Sequence, residues 1–390
     1  MLNFFILLIT LILIIPAITY FIVRLWELYQ DNHPPKYLAP RPPRESYKFL
    51  KLRKGPKLGT KLWLKKMGTL GIKLKDEKVK QILFVHGTFV GNDPYDIIRL
   101  VEELIPFIPS SVKKDIGNWF RKKIKNLNNL ILKDSGHFSD DYIETLKKVF
   151  PRDINICNFV WSSGNHHMAR IRGTLKLINT LINLDIKNHD RILLIGHSHG
   201  GQLFSLLSLM LGDSQLRKSI LSLLPDPEDA FSYEQKFKQI VNIKFDFVTM
   251  GTPPRYIWDL KSNQRLVNFL NHRGNIPMAG RISGFLFTRD GDYLQQYGVS
   301  GSDTYSTMGP DRKKNKELEN ILGIGASIPG WLKEVRRRKR VPDFGFSLLI
   351  NYKDQSIFPN FINSHLGHGI YTRKKMMFFT FFQINKNLYP

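Results

Sequence analysis

The chain has 390 residues, 42% of them hydrophobic, and its 58 lysines and arginines against 33 aspartates and glutamates leave a formal charge of +25. That apolar share excludes wholesale disorder, and the single cysteine, Cys157, excludes an intrachain disulfide framework and a thiolate-rich zinc site. The positive excess fits a nucleic acid or an anionic membrane surface, and composition alone does not choose between them.

Residues 4–23 carry no charged side chain and are about long enough to cross a bilayer as a helix. A cleaved secretory signal would need a basic start, a shorter apolar core and a small-x-small cleavage site, and Met1-Leu2-Asn3 has no basic side chain. An uncleaved transmembrane anchor over 1–24 is therefore expected. Arg24, Lys36, Arg41 and Arg44 follow it closely, so the positive-inside rule puts the bulk of the chain in the cytoplasm. Residues 25–80 stay basic and contain Pro34-Pro35, Pro40, Pro42-Pro43 and Pro56, which reads as an extended juxtamembrane spacer attracted to anionic lipid.

From residue 81 to 390 short apolar runs alternate with helical periodicity, the pattern of one α/β domain with a mostly parallel sheet and helices on both faces. Strands are expected at residues 82–85, 154–161, 192–195 and 245–248, with weaker candidates at 284–287 and 346–350. Met168, Ile171, Leu175, Ile178 and Ile182 recur at the spacing of a crossover helix, as do Leu203, Leu206, Leu207 and Met210 before a stop at Gly212. Insertions are expected near 107–150, 213–242 and 304–344. Within the first, residues 111–133 place Trp119 and Phe120 on an apolar stripe of a basic helix, suited to a lid, a bilayer interface or ordinary core packing.

The strongest chemical signal is Ile192-Leu193-Leu194-Ile195-Gly196-His197-Ser198-His199-Gly200-Gly201, an apolar strand running through GxSxG into an apolar-periodic helix. A sharp strand-to-helix turn strains the serine backbone and exposes its Oγ, and it tolerates only small residues two places on either side. Three further segments stand in order around it: Phe84-Val85-His86-Gly87-Thr88-Phe89, Val248-Thr249-Met250-Gly251-Thr252-Pro253 and Gly367-His368-Gly369-Ile370-Tyr371.

With these motifs the chain resembles the α/β-hydrolase superfamily, lipases and esterases in particular, over residues 81 to about 385. The resemblance implies an α/β-hydrolase fold and a serine hydrolase that cleaves carboxylic esters through an acyl-enzyme. It makes Ser198 the nucleophile and places the oxyanion donors on the backbone N–H of His199 and of Thr88 or Phe89. Chain order in the superfamily is serine, acid, histidine. His368 is favoured as the base, between two glycines, with His365 as the alternative. Asp292 is favoured as the acid, with Asp290, Asp303 and Asp354 as alternatives. His86 would hold its loop by side-chain hydrogen bonds, and His197 and His199 would shape the pocket.

Other constellations are weaker. His197-x-His199 lacks the further ligands that a metal needs, and neither metal nor cofactor is expected. His166-His167 reads as surface or helix-start material. The run Lys333-Glu334-Val335-Arg336-Arg337-Arg338-Lys339-Arg340 resembles a nucleic-acid patch, but no nucleic-acid motif accompanies it, and a solvated or lipid-facing surface fits better. The expected substrate is a lipid or other apolar acyl ester at the membrane. A catalytically silent hydrolase-fold protein serving as a membrane-tethered binding module is the other reading, because the fold does not dictate chemistry.

Overall fold

The computed structural model describes residues 46–53, 55–87, 138–187, 189–272, 291–306, 309–336, 341–352 and 367–390. Seven strands form one sheet: β1 Tyr47–Lys51, β2 Val79–Val85, β3 Asn155–Phe159, β4 Arg191–His197, β5 Lys244–Met250, β6 Arg265–Asn271 and β7 Phe346–Asn351. Their order is β1-β7-β6-β5-β4-β2-β3, and every neighbouring pair is parallel. The central strands are apolar along nearly their whole length, as a sheet covered on both faces requires.

Two layers cover it. One comprises α1 Lys61–Asp76, α2 Asp140–Lys147 and, at the end of the chain, a helix over Met377–Leu388. These pack on Ile82, Phe84, Leu193, Ile195, Val248 and Met250. The other comprises α3 His167–Ile182, α4 Gly200–Gly212, α5 Ser214–Leu221, α6 Pro227–Ile240 and a helix over Gly309–Leu322. These pack on the alternate residues Leu83, Val85, Ile192, Leu194, Phe245 and Phe247. Two shorter helices, α7 Tyr293–Tyr297 and α9 Ile328–Arg336, flank Gly309–Leu322, which is α8; Met377–Leu388 is α10.

Two features depart from the sequence expectation. The spacer assigned to 25–80 is folded from Tyr47 onward, where β1 takes the sheet edge beside β7 and α1 buries Trp63, Met67 and Leu74. Thr60 starts α1 by accepting a hydrogen bond from the Trp63 N–H at 3.3 Å. Within that helix Lys61, Lys65, Lys66 and Lys75 are exposed, so its basic composition coexists with a buried apolar side. The second departure is β6, which carries Arg265 and two asparagines within its apolar run and breaks the pattern of a buried strand. The weak strand candidate at 284–287 lies outside the described residues, as do the anchor candidate at 4–23 and the lid candidate with Trp119 and Phe120. Among the described residues no helix is long and apolar enough to cross a membrane.

The chain leaves β2 toward β3 and leaves β4 toward β5, on opposite sides, so strand order reverses between β2 and β4. Open parallel sheets place ligands outside the carboxyl ends of their strands at such a point.

Candidate active site

Ser198 follows β4 directly and has φ +55°, the left-handed conformation that non-glycine residues rarely adopt. Its N–H donates to the Met250 carbonyl at the end of β5 (2.8 Å), and its carbonyl accepts from the Thr252 hydroxyl (2.8 Å). The turn is thereby held from the neighbouring strand, which counters the strain. Close approach explains the glycines around it: a Cβ on Gly200 would lie 2.6 Å from the carbonyl oxygens of Val85 and His86. His199 stands at the N-cap of α4, so its N–H is among the amides that a helix start leaves without an intrahelical partner.

The β2 end lies against the serine. A Cβ on Gly87 would be 2.5 Å from the Ser198 Cβ and 3.1 Å from its Oγ. His86 fixes this loop. Its Nδ1–H donates to the Gly87 carbonyl (3.0 Å), and its Nε2 faces the Trp161 N–H at 3.4 Å. The Trp161 indole N–H also donates to the His86 carbonyl (3.0 Å). This is the loop-holding role expected of His86. Thr88 and Phe89, the other oxyanion candidates, lie outside the described residues.

Asp292 and His368, 76 positions apart, meet at the carboxyl ends of β5 and β6. The His368 Nδ1 lies 2.9 and 2.8 Å from the two carboxylate oxygens of Asp292. That contact places the ring hydrogen on Nδ1 and leaves the Nε2 lone pair to accept a proton. The Tyr371 hydroxyl donates to Oδ2 (2.8 Å) and accepts from the Asn271 N–H (2.7 Å), while the Gln295 N–H donates to Oδ1 (2.8 Å). Burial and the Asp292 charge push the Tyr371 phenol well above its usual pKa, so it remains a donor. Asp292 also serves as the N-cap of α7, which fixes its backbone.

The end of β5 joins these two halves. Gly251, at φ +59°, follows the Met250 that holds Ser198, and a Cβ there would fall 2.5 Å from Asp292 Oδ2 and 3.1 Å from His368 Nδ1. The residue before the serine contributes as well: the His197 Nε2–H donates to the His368 carbonyl (3.0 Å), with the two ring centroids 4.6 Å apart. Ser198 Oγ itself lies 3.5 Å from His199 Nδ1. Burial, followed by the charges of Arg170 and Arg255, holds His199 far below the usual histidine pKa, so this ring is neutral.

The alternative acid Asp303 is engaged elsewhere. Its carboxylate oxygens accept from Arg170 (2.8 and 2.7 Å) and from Arg255 (2.7 and 2.8 Å), and all three side chains are buried. Burial opposes the Asp303 charge, but Arg170 and Arg255 outweigh it and hold the pKa below the usual carboxylate value. Asp290, Asp354 and His365 lie outside the described residues. His166 caps α3 by accepting from the Ala169 N–H (3.2 Å), as a helix-start residue should. His167 is the first residue of α3, and both histidines are buried, not at the surface; the His167 ring bonds to Tyr256 Oη (2.8 Å) and to the Gly323 carbonyl (2.9 Å).

No family model, no curated protein and no solved structure matches this chain. What the site can do therefore rests on its own geometry. Among the described residues no group of three or more histidine, cysteine or acidic side chains is arranged to hold a metal ion. Sequence reasoning passed over Tyr371, Gln295 and His197 as supports of the Asp292–His368 pair. Tyr371 stood within the Gly367-His368-Gly369-Ile370-Tyr371 motif, three residues after the histidine, and was legible there as a candidate.

Proposed function

We propose that the protein is a serine hydrolase of the α/β-hydrolase type that cleaves carboxylic esters with apolar acyl groups. The observation that carries this reading is that the end of β5 touches both halves: Met250 accepts from the N–H of the left-handed Ser198, and the next residue, Gly251, packs against the hydrogen-bonded Asp292–His368 pair.

In this reaction Ser198 Oγ attacks the acyl carbon while its proton passes to His368 Nε2. General-base help of this kind contributes about 10²- to 10⁴-fold. Asp292 keeps the ring in the Nδ1–H tautomer and stabilises the imidazolium that forms. The acyl oxygen becomes an oxyanion. It is met by the His199 N–H and a second N–H from the loop after Gly87, each worth about 3–4 kcal/mol to the transition state. Collapse of the tetrahedral species breaks the bond to the alcohol, which leaves with the His368 proton, and the acyl group remains on Ser198. A water then gives a proton to His368 and attacks the acyl-enzyme. The carboxylic acid departs, and the proton returns to Ser198.

The apolar run at residues 4–23 and the basic residues behind it support a substrate held at a membrane, with the run as anchor and the domain on the cytoplasmic side. A fluorophosphonate probe tests the chemistry. Covalent labelling is expected at Ser198, with total loss in Ser198→Ala. Folded wild-type protein that takes no label would leave a silent hydrolase-fold binding module as the reading.

A further inference from the structure

Helix α1 carries five lysines, Lys61, Lys65, Lys66, Lys73 and Lys75, against one carboxylate, Asp76. Its Trp63, Met67 and Leu74 face the core, so at 100° per residue the outer side carries Lys61, Leu62, Lys65, Thr69, Ile72 and, in the last turn, Asp76. Leu62 and Ile72 are each 54% exposed, and Leu64, on the flank of the helix away from Leu62, is 44% exposed. Single exposed aliphatics are ordinary on a protein surface. Several among lysines on the outer side of one helix match a surface that meets both acyl chains and headgroup phosphates. Of these cations Lys75 is paired, with Asp153 at 3.1 Å.

The position of α1 adds to this. It turns into β2 through Glu77 and a left-handed Lys78, and so runs against the strand direction. Its first turn therefore lies toward the carboxyl ends of the strands, where β2 and β4 lead into Gly87 and Ser198. Phe382 of α10, which packs against α1, adds a 44% exposed ring to this layer. About 23 residues separate the apolar run from Tyr47, a reach of roughly 75 Å at most, so a bilayer holding that run lies within range of α1. A nucleic acid would use the lysines but gain nothing from Leu62 and Ile72.

We propose that the outer face of α1 is a docking surface for an anionic lipid bilayer, with Lys61 and Lys65 at headgroup phosphates and Leu62 and Ile72 in the interface. The test uses the full chain with Cys157→Ser and Ile72→Cys, labelled with an environment-sensitive fluorophore and reconstituted with phosphatidylcholine vesicles, with or without phosphatidylserine. The label should shift to the blue and be quenched by doxyl lipids only when phosphatidylserine is present, and high salt should reverse this. Lys61→Glu/Lys65→Glu/Lys66→Glu should bring quenching down to that of a Phe231→Cys control, whose site on α6 is 70% exposed on the opposite layer. Circular dichroism would verify that each variant is folded. A label that stays water-like, responds equally to both vesicles, responds to an oligonucleotide but not to lipid, or reports only self-association overturns the proposal. The readout needs no turnover, so failure of fluorophosphonate labelling and failure of docking remain distinguishable.

Discussion

Two carboxylates of the fold, Asp292 and Asp303, are equally buried, with 1% and 2% of their side chains exposed. Both stood as acids for the same reaction. They differ in who faces them. Asp303 sits between two guanidinium groups, so its charge is matched before any substrate arrives, and its low pKa records that match. Asp292 receives hydrogen bonds from an imidazole, a phenol and a backbone amide. Its charge is therefore matched by a full cation only when His368 takes a second proton, which is the moment the proposed chemistry requires. Burial and close hydrogen bonds do not identify a working carboxylate. In the proposed reaction the working carboxylate is the one whose partner, His368, has a second ring nitrogen to take the proton.

The sharpest way to break this comparison is to neutralise each carboxylate in turn. Asp292→Asn should lower kcat/KM on a soluble ester by on the order of 10⁴-fold, because the amide favours the wrong imidazole tautomer. Its stability should fall by only about 1–2 kcal/mol, since Tyr371 and Gln295 donate to different carboxylate oxygens and the amide keeps one of those two acceptors. Asp303→Ala should do the reverse. Removing it strands two buried cations and should cost about 3–5 kcal/mol of stability in a urea titration. The rate per folded molecule should stay near wild type. Equal loss of activity at both positions, with stability intact, would overturn the assignment of roles.

The sequence showed the turn at Ser198 better than it showed the edges of the domain, for physical reasons. The elbow is local: strand, glycine spacing and helix lie within about twenty residues around Ser198, so periodicity and turn chemistry suffice to read it. The pairing of Asp292 with His368 is remote in sequence; chain order narrowed the choice, and the glycines around His368 and the Gly291-Asp292 turn favoured one residue of each kind. Asp303 could not be set aside from the sequence, because Arg170 and Arg255 reach it from α3 and from the loop after β5. Residues 47–76 were misread because proline and lysine composition outweighed the spacing of Trp63, Met67, Leu70 and Leu74, which is helical and apolar. Strand β6 was missed because Arg265, Asn268 and Asn271 interrupt its hydrophobic run. Asn268 is instead satisfied inside the sheet, accepting from the Thr249 hydroxyl at 2.6 Å and donating to the Phe344 carbonyl at 2.9 Å.

The clasp around Asp303 also makes a pH-dependent contribution to stability, which shares its direction with that of His199 beside Ser198. His167 lies on the clasp side, where its Nε2–H donates to Gly323 and its Nδ1 faces Tyr256, whose hydroxyl also accepts from Arg170 Nε at 2.7 Å. Burial, reinforced by Arg170 and Arg255, pushes its pKa down to about 3, against roughly 6.5 in the unfolded chain. Between those values the unfolded state binds a proton that the folded state refuses, so stability rises with pH across that window. The contribution is complete above about 6.5 and is lost progressively as pH falls toward 3, at a limiting slope of about 1.4 kcal/mol per pH unit. His167→Gln keeps a donor for the Gly323 carbonyl and removes the titration. At neutral pH it should change stability by no more than about 1 kcal/mol, while the slope of the urea midpoint between pH 3 and 6.5 flattens. Asp303 loses its contribution in a lower window, below the ordinary aspartate pKa of about 3.9, because its folded pKa is depressed. A variant that keeps the full wild-type slope would show that the proton is taken up elsewhere and that the clasp does not exclude it.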